Sequence, residues 1–201
     1  MRILIACEES QAICIAFRNK GHEAYSCDLQ KCSGGHPEYH IIADVMTVIN
    51  GGWVTTQAGA RVYIDKWELM IGHPECKFLC WSGERWIKNN PERLAKRMEA
   101  FEFLKTLYNC QIEKVCIENS LSLWLERNWK KPTQTVHPFH FGDPYRKSTC
   151  LWIRGLKPLI PTNIIWQRYP AAHKEGPSSE RSKIRAKTYP GIALAMAEQW
   201  G

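Results

Sequence analysis

The stretch Leu69-Met70-Ile71-Gly72-His73-Pro74-Glu75-Cys76 decides the fold class that this sequence predicts. Its first three residues form a short apolar run typical of a buried strand, and Gly72 and Pro74 then end that strand. Open α/β sheets carry their chemistry at the carboxyl ends of their strands. We therefore expect Cys76 to lie on a loop at such an edge.

A second strand-like run ends in the same way. Val115-Cys116-Ile117 leads directly into Glu118 and Asn119. A thiol and a carboxylate at one edge of a sheet suggest a nucleophile paired with an acid. His73 and Lys77 add cations near Cys76, and a nearby cation lowers the pKa of a thiol. The two strand ends together predict an enzyme that attacks a ring carbon through sulfur.

The N-terminal part of the chain predicts the opening of a Rossmann-like, doubly wound sheet. Three strand-like runs and one helix follow one another: Arg2–Cys7, Gln11–Lys20, Glu23–Cys27 and Ile41–Ala43. Ser10 is the predicted N-cap of the helix, and Gly21 is its predicted C-terminal cap. Strands that alternate with a helix and a loop are typical of an α/β sheet.

The remaining elements fit a single domain over residues 1–201. We expect an inserted hairpin within residues 51–66, because two β-prone runs there flank a turn. Pro91 opens a helix that reaches Tyr108; a late strand at Thr149–Ile153 and a closing helix at Gly191–Trp200 follow. The predicted buried face of the helix that begins at Pro91 consists of Leu94, Met98, Phe101, Leu104 and Leu107.

Composition indicates an ordinary globular protein. The 201 residues are 44% hydrophobic and 23% charged, and no apolar stretch approaches the length of about 20 residues that a membrane span needs. The first apolar run is too short for a secretory signal. Nine cysteines, several of them inside apolar runs, favour reduced thiols and a cytoplasmic location. The net charge of +7 fits a polyanionic partner.

Carboxylates at the strand ends predict a cofactor site. Asp28 and Asp44 end the second and third strands, where they can accept hydrogen bonds from a ribose and from an adenine amino group. Either residue can instead be a simple strand cap. The turn Cys7–Gln11 has no glycine and no phosphate-binding loop follows, so an adenosine cofactor without a pyrophosphate, such as S-adenosylmethionine, fits best.

Four residues suggest a competing zinc site. Cys27, Cys32, His36 and His40 have spacings typical of zinc ligands. However, Cys27 and His40 belong to two different predicted strands, which makes convergence of all four demanding. We therefore predict no metal.

Basic and aromatic residues alternate in two segments. The first follows the cysteine and contains Lys77, Trp81, Arg85, Trp86 and Lys88. The second contains Arg168, Tyr169, Lys174, Arg181, Lys183, Arg185 and Lys187. Both can contact phosphates and stack on bases. The alternative is a solvated surface with its tryptophans packed into the core.

The order of these motifs resembles that of the DNA cytosine-5 methyltransferases, in particular compact phage-type relatives. The family has a turn after strand one, acids after strands two and three, a Pro-Pro-Cys loop, a Glu-Asn-Val strand end, an arginine-bearing strand and a C-terminal segment that closes over the cofactor. The corresponding stretches here are Ala6–Ser10, Asp28, Asp44, His73–Cys76, Glu118–Ser120, Tyr145–Thr149 and Lys187–Gly191. The resemblance implies a sheet of the S-adenosylmethionine-dependent methyltransferase type.

The resemblance also implies roles for individual residues. Cys76 would add to C6 of a cytosine flipped out of DNA, Glu118 would contact N3, and Asn119 would hold the loop. Arg146 is the arginine that remains from the family's Arg-x-Arg motif. Residues expected at the S-adenosylmethionine site are Glu8, Ser10, Asp28, Asp44, His73, Pro74 and Gly191.

Two departures from the family pattern keep other functions open. Glu75 replaces a proline beside Cys76, and we expect its carboxylate to oppose thiolate formation. Residues 154–187 are too few for a separate recognition domain, so a partner protein could supply specificity. The alternatives are a related enzyme that modifies a nucleotide or RNA, and a pseudoenzyme that binds nucleic acid or a partner protein.

Overall fold

A seven-stranded sheet forms the centre of the protein. The computed structural model describes residues 1–87, 89–170 and 187–201. The strands in these residues are β1 (Arg2–Ala6), β2 (Glu23–Asp28), β3 (His40–Ile42), β4 (Gly52–Thr55), β5 (Arg61–Ile64), β6 (Leu69–Gly72), β7 (Lys114–Ser120), β8 (Gln134–Val136), β9 (Tyr145–Arg146), β10 (Thr149–Arg154) and β11 (Tyr169–Pro170). The α-helices in the same residues are α1 (Ala12–Asn19), α2 (Pro91–Tyr108), α3 (Leu123–Asn128) and α4 (Pro190–Trp200).

The strand order confirms the predicted fold class. The sheet runs β3-β2-β1-β6-β7-β10-β8, and β10 is antiparallel to both of its neighbours while the other pairs are parallel. This is the arrangement of a Rossmann-like, methyltransferase-type sheet. The predicted hairpin is also confirmed, since β4 and β5 pair in antiparallel fashion outside the main sheet.

Two hydrophobic layers cover the sheet. In β1, Ile3 and Ile5 face a layer built with α1 and α4, whereas Leu4 and Ala6 face a layer built with α2 and the β4–β5 hairpin. A strand buried on both faces must be apolar throughout, which is why these core strands are continuous apolar runs in the sequence. None of the helices in the described ranges is long and apolar enough to cross a membrane.

The start of α1 differs from the prediction. The helix begins at Ala12, and its capping group is the carboxylate of Glu8 rather than Ser10. Oε1 of Glu8 accepts a hydrogen bond from the Ile13 N–H at 2.7 Å, and Oε2 accepts one from the Cys14 N–H at 3.2 Å. The other end of the helix agrees with the prediction, because Gly21 has the positive φ of 85° that a C-terminal glycine cap needs.

The buried face of α2 is shorter than the sequence predicts. Phe101, Leu104 and Leu107 are buried, but Leu94 and Met98 are 48% and 42% exposed. That part of the prediction is wrong because the first half of the helix does not pack on the sheet. It packs instead on the loop after Cys76, through the buried side chain of Arg97.

Candidate active site

The carboxyl ends of four adjacent strands meet at one edge of the sheet. In the strand register, Ala6 of β1 lies opposite Cys27 of β2 and Gly72 of β6, and Gly72 lies opposite Ile117 of β7. The next residue of each strand therefore comes to the same edge. These residues are Cys7, Asp28, His73 and Glu118.

The loop that carries Cys76 is tied down at its start. The His73 N–H donates to the Ala6 carbonyl oxygen at 2.9 Å. Nδ2 of the buried Asn119 donates to the Pro74 carbonyl oxygen at 3.0 Å. Cys76 follows as an exposed residue and opens a helical turn, since its carbonyl oxygen accepts from the N–H of Cys80 at 2.8 Å. A fixed loop thus presents the thiol at the surface.

The surroundings of Cys76 favour the neutral thiol. Its pKa is raised from the ordinary value because the neighbouring protein desolvates the sulfur, although the residue as a whole is exposed. A hydrogen bond from Ser120 and the charge of Lys147 act in the opposite direction, whereas the negative charge of Glu118 raises the pKa further. The exposed Glu75 is not among the main charges acting on the sulfur, so the expectation that it opposes thiolate formation finds no support.

Glu118 is paired with His73. Oε2 of Glu118 lies 3.0 Å from Nδ1 of His73, and the two side chains are only 16% and 10% exposed. Burial alone would raise the pKa of the Glu118 carboxyl. The hydrogen bond and charge of His73, together with the charge of Lys147, outweigh that effect, so this pKa is lowered. Glu118 is therefore a carboxylate at neutral pH.

The cation beside these groups is Lys147, whereas the sequence predicted Arg146. The charge of Lys147 lowers the pKa of both Cys76 and Glu118. Arg146 is exposed on β9, and its charge acts instead on His137. Lys147 reaches the edge because β10 is antiparallel, so that its first residue, Thr149, pairs with Ser120 at the end of β7. A narrow cleft lined by Glu118, Lys147, Thr149, Thr188, Tyr189 and Ile192 continues from this point.

Acidic residues line the neighbouring part of the edge. Burial raises the pKa of Cys7 to about 12, with further contributions from the charges of Asp28, Cys27 and Asp44. Both aspartates therefore act on the end of β1. Oδ1 of Asp28 accepts from the Gln30 N–H and Oδ1 of Asp44 from the Met46 N–H, each at 2.9 Å. A carboxylate has about four acceptor sites, so both can still accept from a ligand.

Three other predicted cofactor residues have structural roles. Both oxygens of Glu8 are used at the start of α1. The backbone around Ser10 packs so closely on Gly34 that a side chain at position 34 would collide with it. Gly191 donates its N–H to Asp143 Oδ2 at 3.0 Å, and a side chain there would collide with the Phe141 carbonyl oxygen.

The suggested zinc site does not assemble. His40 is buried, with Nδ1 at 2.8 Å from Ser26 Oγ and Nε2 at 2.8 Å from the Gln30 carbonyl oxygen. Sγ of Cys27 points to the Ala43 carbonyl oxygen. Within residues 1–87, 89–170 and 187–201, no three histidine, cysteine or acidic side chains are grouped to hold a metal ion.

The basic and aromatic segment after Cys76 is on the surface. Trp81 and Trp86 are 61% and 59% exposed, which rules out the alternative that they pack into the core. The Arg85 guanidinium lies 4.8 Å from the centre of the Trp86 ring, and Lys77 is also exposed. Of the second segment, Lys187 is exposed and the Arg168 guanidinium lies 4.0 Å from the Phe139 ring centre. Lys88, Lys174, Arg181, Lys183 and Arg185 lie outside the described residues.

A separate surface cavity has no part in this arrangement. It measures about 430 Å³ and lies at the C-terminal end of α2, between Met46 and Cys110. None of the predicted site residues lines it.

Comparisons with known proteins find similarity among solved structures alone. No protein-family model matches the chain, and no curated protein matches it. Among solved structures, it is similar to a candidate DNA modification methyltransferase encoded within an E. coli prophage, at 12% sequence identity and a TM-score of 0.46. The match covers 82% of this chain and 52% of that one, so this chain spans about half the length of that protein. This likeness is too distant to assign an activity.

Proposed function

We propose that the protein transfers a methyl group from S-adenosylmethionine to C5 of cytosine in DNA, through a covalent adduct of Cys76. One observation carries the proposal. The exposed Cys76 thiol lies within the electrostatic reach of Glu118 and Lys147, at the edge of a methyltransferase-type sheet. A nucleophile, a carboxylate and a cation at one strand edge are the groups that addition to a cytosine ring requires.

The acidic part of the edge fits the cofactor. Asp28 and Asp44 have acceptor sites left for ribose hydroxyls and an adenine amino group. Their negative charges also suit a ligand that carries a positive sulfonium. When bound, S-adenosylmethionine would supply an electrophilic methyl group from its sulfonium.

Cys76 performs the central step. Its thiolate sulfur forms a bond to C6 as the C5–C6 double bond of the ring opens, and the ring nitrogen N3 gains a proton through Glu118. A carboxylate oxygen of Glu118 also accepts a hydrogen bond from the exocyclic amino group of the cytosine. Once C5 carries the methyl group, C5 loses its proton to a base. The S–C6 bond then breaks and N3 gives its proton back through Glu118, which restores the aromatic ring and the thiolate.

The surface beside Cys76 suits an unpaired base. A cytosine in a duplex must leave the base stack before a thiol can reach C6. Trp81 and Trp86, with Arg85 between them, offer exposed rings and a cation next to the loop, and the net charge of +7 favours phosphate contacts. Because phosphate contacts carry no sequence information, we expect weak selectivity and strong salt dependence. A partner protein would then supply any sequence preference.

One observation favours a second candidate function. The raised pKa of Cys76 leaves most of the group protonated at neutral pH, as expected of a protein of this fold that binds nucleic acid without catalysis. A related enzyme acting on RNA or a nucleotide would share the same site residues.

Base analysis of treated DNA tests the proposal. Purified protein is incubated with unmethylated duplex DNA and S-adenosylmethionine. The DNA is then digested to nucleosides, which are separated and identified by mass spectrometry. We expect 5-methyldeoxycytidine with the unmutated protein and with Cys110→Ala, and none with Cys76→Ala. Methylated adenine in its place would overturn the proposal. Cofactor binding without any methylated base would favour the second candidate.

A further inference from the structure

His73 interacts with two carboxylates that come from different strand ends. Its Nδ1 is 3.0 Å from Oε2 of Glu118, which belongs to β7. On the side of β1, the charge of His73 lowers the pKa of Glu8, although burial raises that pKa overall. Glu8 is 4% exposed and the His73 side chain is 10% exposed. The His73 imidazole thus interacts with the carboxyl groups of both Glu118 and Glu8.

The second ring nitrogen of His73 is unusual. Nε2 is buried and has no hydrogen-bond partner within the described residues. Leaving a buried polar group unpaired costs about 1–3 kcal/mol. By contrast, His40 is also buried but has partners at both ring nitrogens. Within the described residues, the hydrogen bond at Nδ1 is therefore the only one that the His73 ring makes.

The proposed reaction needs a proton that Glu118 does not have. Addition of the Cys76 thiolate makes N3 of the ring basic, so that N3 must be protonated as the S–C6 bond forms. Glu118 is a carboxylate at neutral pH because its pKa is lowered. Another group must therefore supply Glu118 with the proton that it passes to N3.

We propose that His73 is a positioning residue that supplies this proton through Glu118, across the 3.0 Å contact between Nδ1 and Oε2. The inference rests on the proposed function and deepens it. The proton leaves Nδ1 of the imidazolium, passes through the carboxyl group of Glu118 and binds N3 as the S–C6 bond forms. The imidazole is left neutral, with its hydrogen on Nε2. When the adduct breaks down, the proton returns along the same path.

The charges around the ring favour this role. Glu118 from β7 and Glu8 from the loop after β1 both interact with His73, and Lys147 from the segment before β10 also acts on Glu118. Glu8 is fixed by its hydrogen bonds to α1, so its carboxyl group is held in place.

Exchange of the C5 hydrogen without cofactor tests the inference. Addition of Cys76 to C6 makes C5 nucleophilic, so it takes up a solvent proton and releases tritium from duplex DNA that contains [5-³H]cytosine. For the unmutated protein we expect a bell-shaped dependence on pH, rising with the thiolate and falling as the imidazole loses its proton. His73→Gln keeps a hydrogen-bond donor for Glu118 but carries no titrating proton. It should lower the rate by roughly 10²- to 10⁴-fold and abolish the descending limb.

His22→Gln is the matched control, because His22 lies at the opposite edge of the sheet beside the Met1 amino group. It should leave the rate and the profile unchanged. An unchanged profile in His73→Gln overturns the role of His73 and leaves the proposed function standing. Absence of exchange with the unmutated protein overturns both.

A second measurement, which needs neither DNA nor the His73→Gln variant, keeps the inference testable if that variant fails to fold. In Glu118→Gln, nuclear magnetic resonance should show the His73 imidazole losing its proton at lower pH than in the unmutated protein, because a negative partner has been removed. No shift would overturn the proposed coupling.

Discussion

Arg97 of α2 and Glu84 of the short 3₁₀ helix Trp81–Trp86 form a two-point ion pair. Nη1 donates to Oε1 at 3.0 Å and Nη2 to Oε2 at 2.7 Å. Arg97 is 2% exposed, and its Nε donates to the Phe78 carbonyl oxygen at 2.9 Å. One buried side chain therefore fastens the segment that carries Trp81 and Trp86 to the body of the protein.

Loss of this attachment should loosen the segment. Arg97→Gln keeps part of the volume but removes the fork of donors, and we expect it to lower the free energy of unfolding by about 1–3 kcal/mol. Backbone amides of residues 78–87 should exchange with solvent faster, as mass spectrometry can measure. Lys96→Gln, on the exposed side of the same helix, is the control and should change neither quantity. Equal effects from both variants would show that the ion pair does not hold the segment.

The exposed tryptophans should contribute to binding of single-stranded DNA. Trp81→Ala and Trp86→Ala should each weaken binding by about 1–3 kcal/mol, the usual value of stacking one base on an aromatic ring. Fluorescence anisotropy with a labelled oligonucleotide measures the change. Trp53→Ala is the matched control, since Trp53 is as exposed as Trp81 but lies on the β4–β5 hairpin. An equal loss of DNA affinity in Trp53→Ala would show that any exposed aromatic ring contributes to binding, wherever it lies on the surface.

Strands and turns were largely predictable from the sequence, because they depend on local pattern. The apolar run before Gly72 predicted β6, and Gly21 predicted the end of α1. Residues held by distant partners were not predictable. Arg97 is buried because Phe78 and Glu84, from an earlier loop, satisfy its charge. Glu8 displaced Ser10 as the cap of α1 because the turn after β1 directs its carboxylate at the helix.

The candidate site was predictable only in part for the same reason. Each strand end could be read from its own stretch of sequence, so the expected positions of Asp28, Glu118 and the loop of Cys76 at strand ends followed from a parallel sheet. Lys147 could not be found in this way, because its position depends on the reversed direction of β10. No local pattern distinguishes a strand that runs antiparallel to its neighbours.

Lys147 should set the reactivity of the Cys76 thiol. Its positive charge lowers the pKa of Cys76, so Lys147→Met should raise that pKa further and reduce the thiolate fraction at any pH below it. Alkylation by iodoacetamide should then be several-fold slower near neutral pH, and its pH profile should move to more alkaline values. Arg146→Met should leave the profile in place. If the pH profile of alkylation shifted in Arg146→Met instead, Arg146 would be the cation that acts on Cys76, as the sequence predicted.

The aspartates at the strand ends should hold the cofactor. Asp28→Ala and Asp44→Ala should each weaken S-adenosylmethionine binding by about 1.5–3 kcal/mol, or roughly ten- to more than a hundredfold in affinity. Isothermal titration calorimetry measures this directly. Asp65→Ala, an exposed aspartate just beyond β5, is the control. Unchanged affinity in both strand-end variants would place the cofactor elsewhere.

Trapping of the covalent adduct tests the central claim most directly. The protein is incubated with S-adenosylmethionine and a duplex in which 5-fluorocytosine replaces cytosine in one strand, because fluorine at C5 blocks the elimination that frees the enzyme. We predict a complex that survives denaturing electrophoresis, forms equally well with Cys80→Ser and is absent with Cys76→Ser. An adduct that persists in Cys76→Ser, or none with the unmutated protein while it methylates DNA, would contradict the proposed role of this thiol.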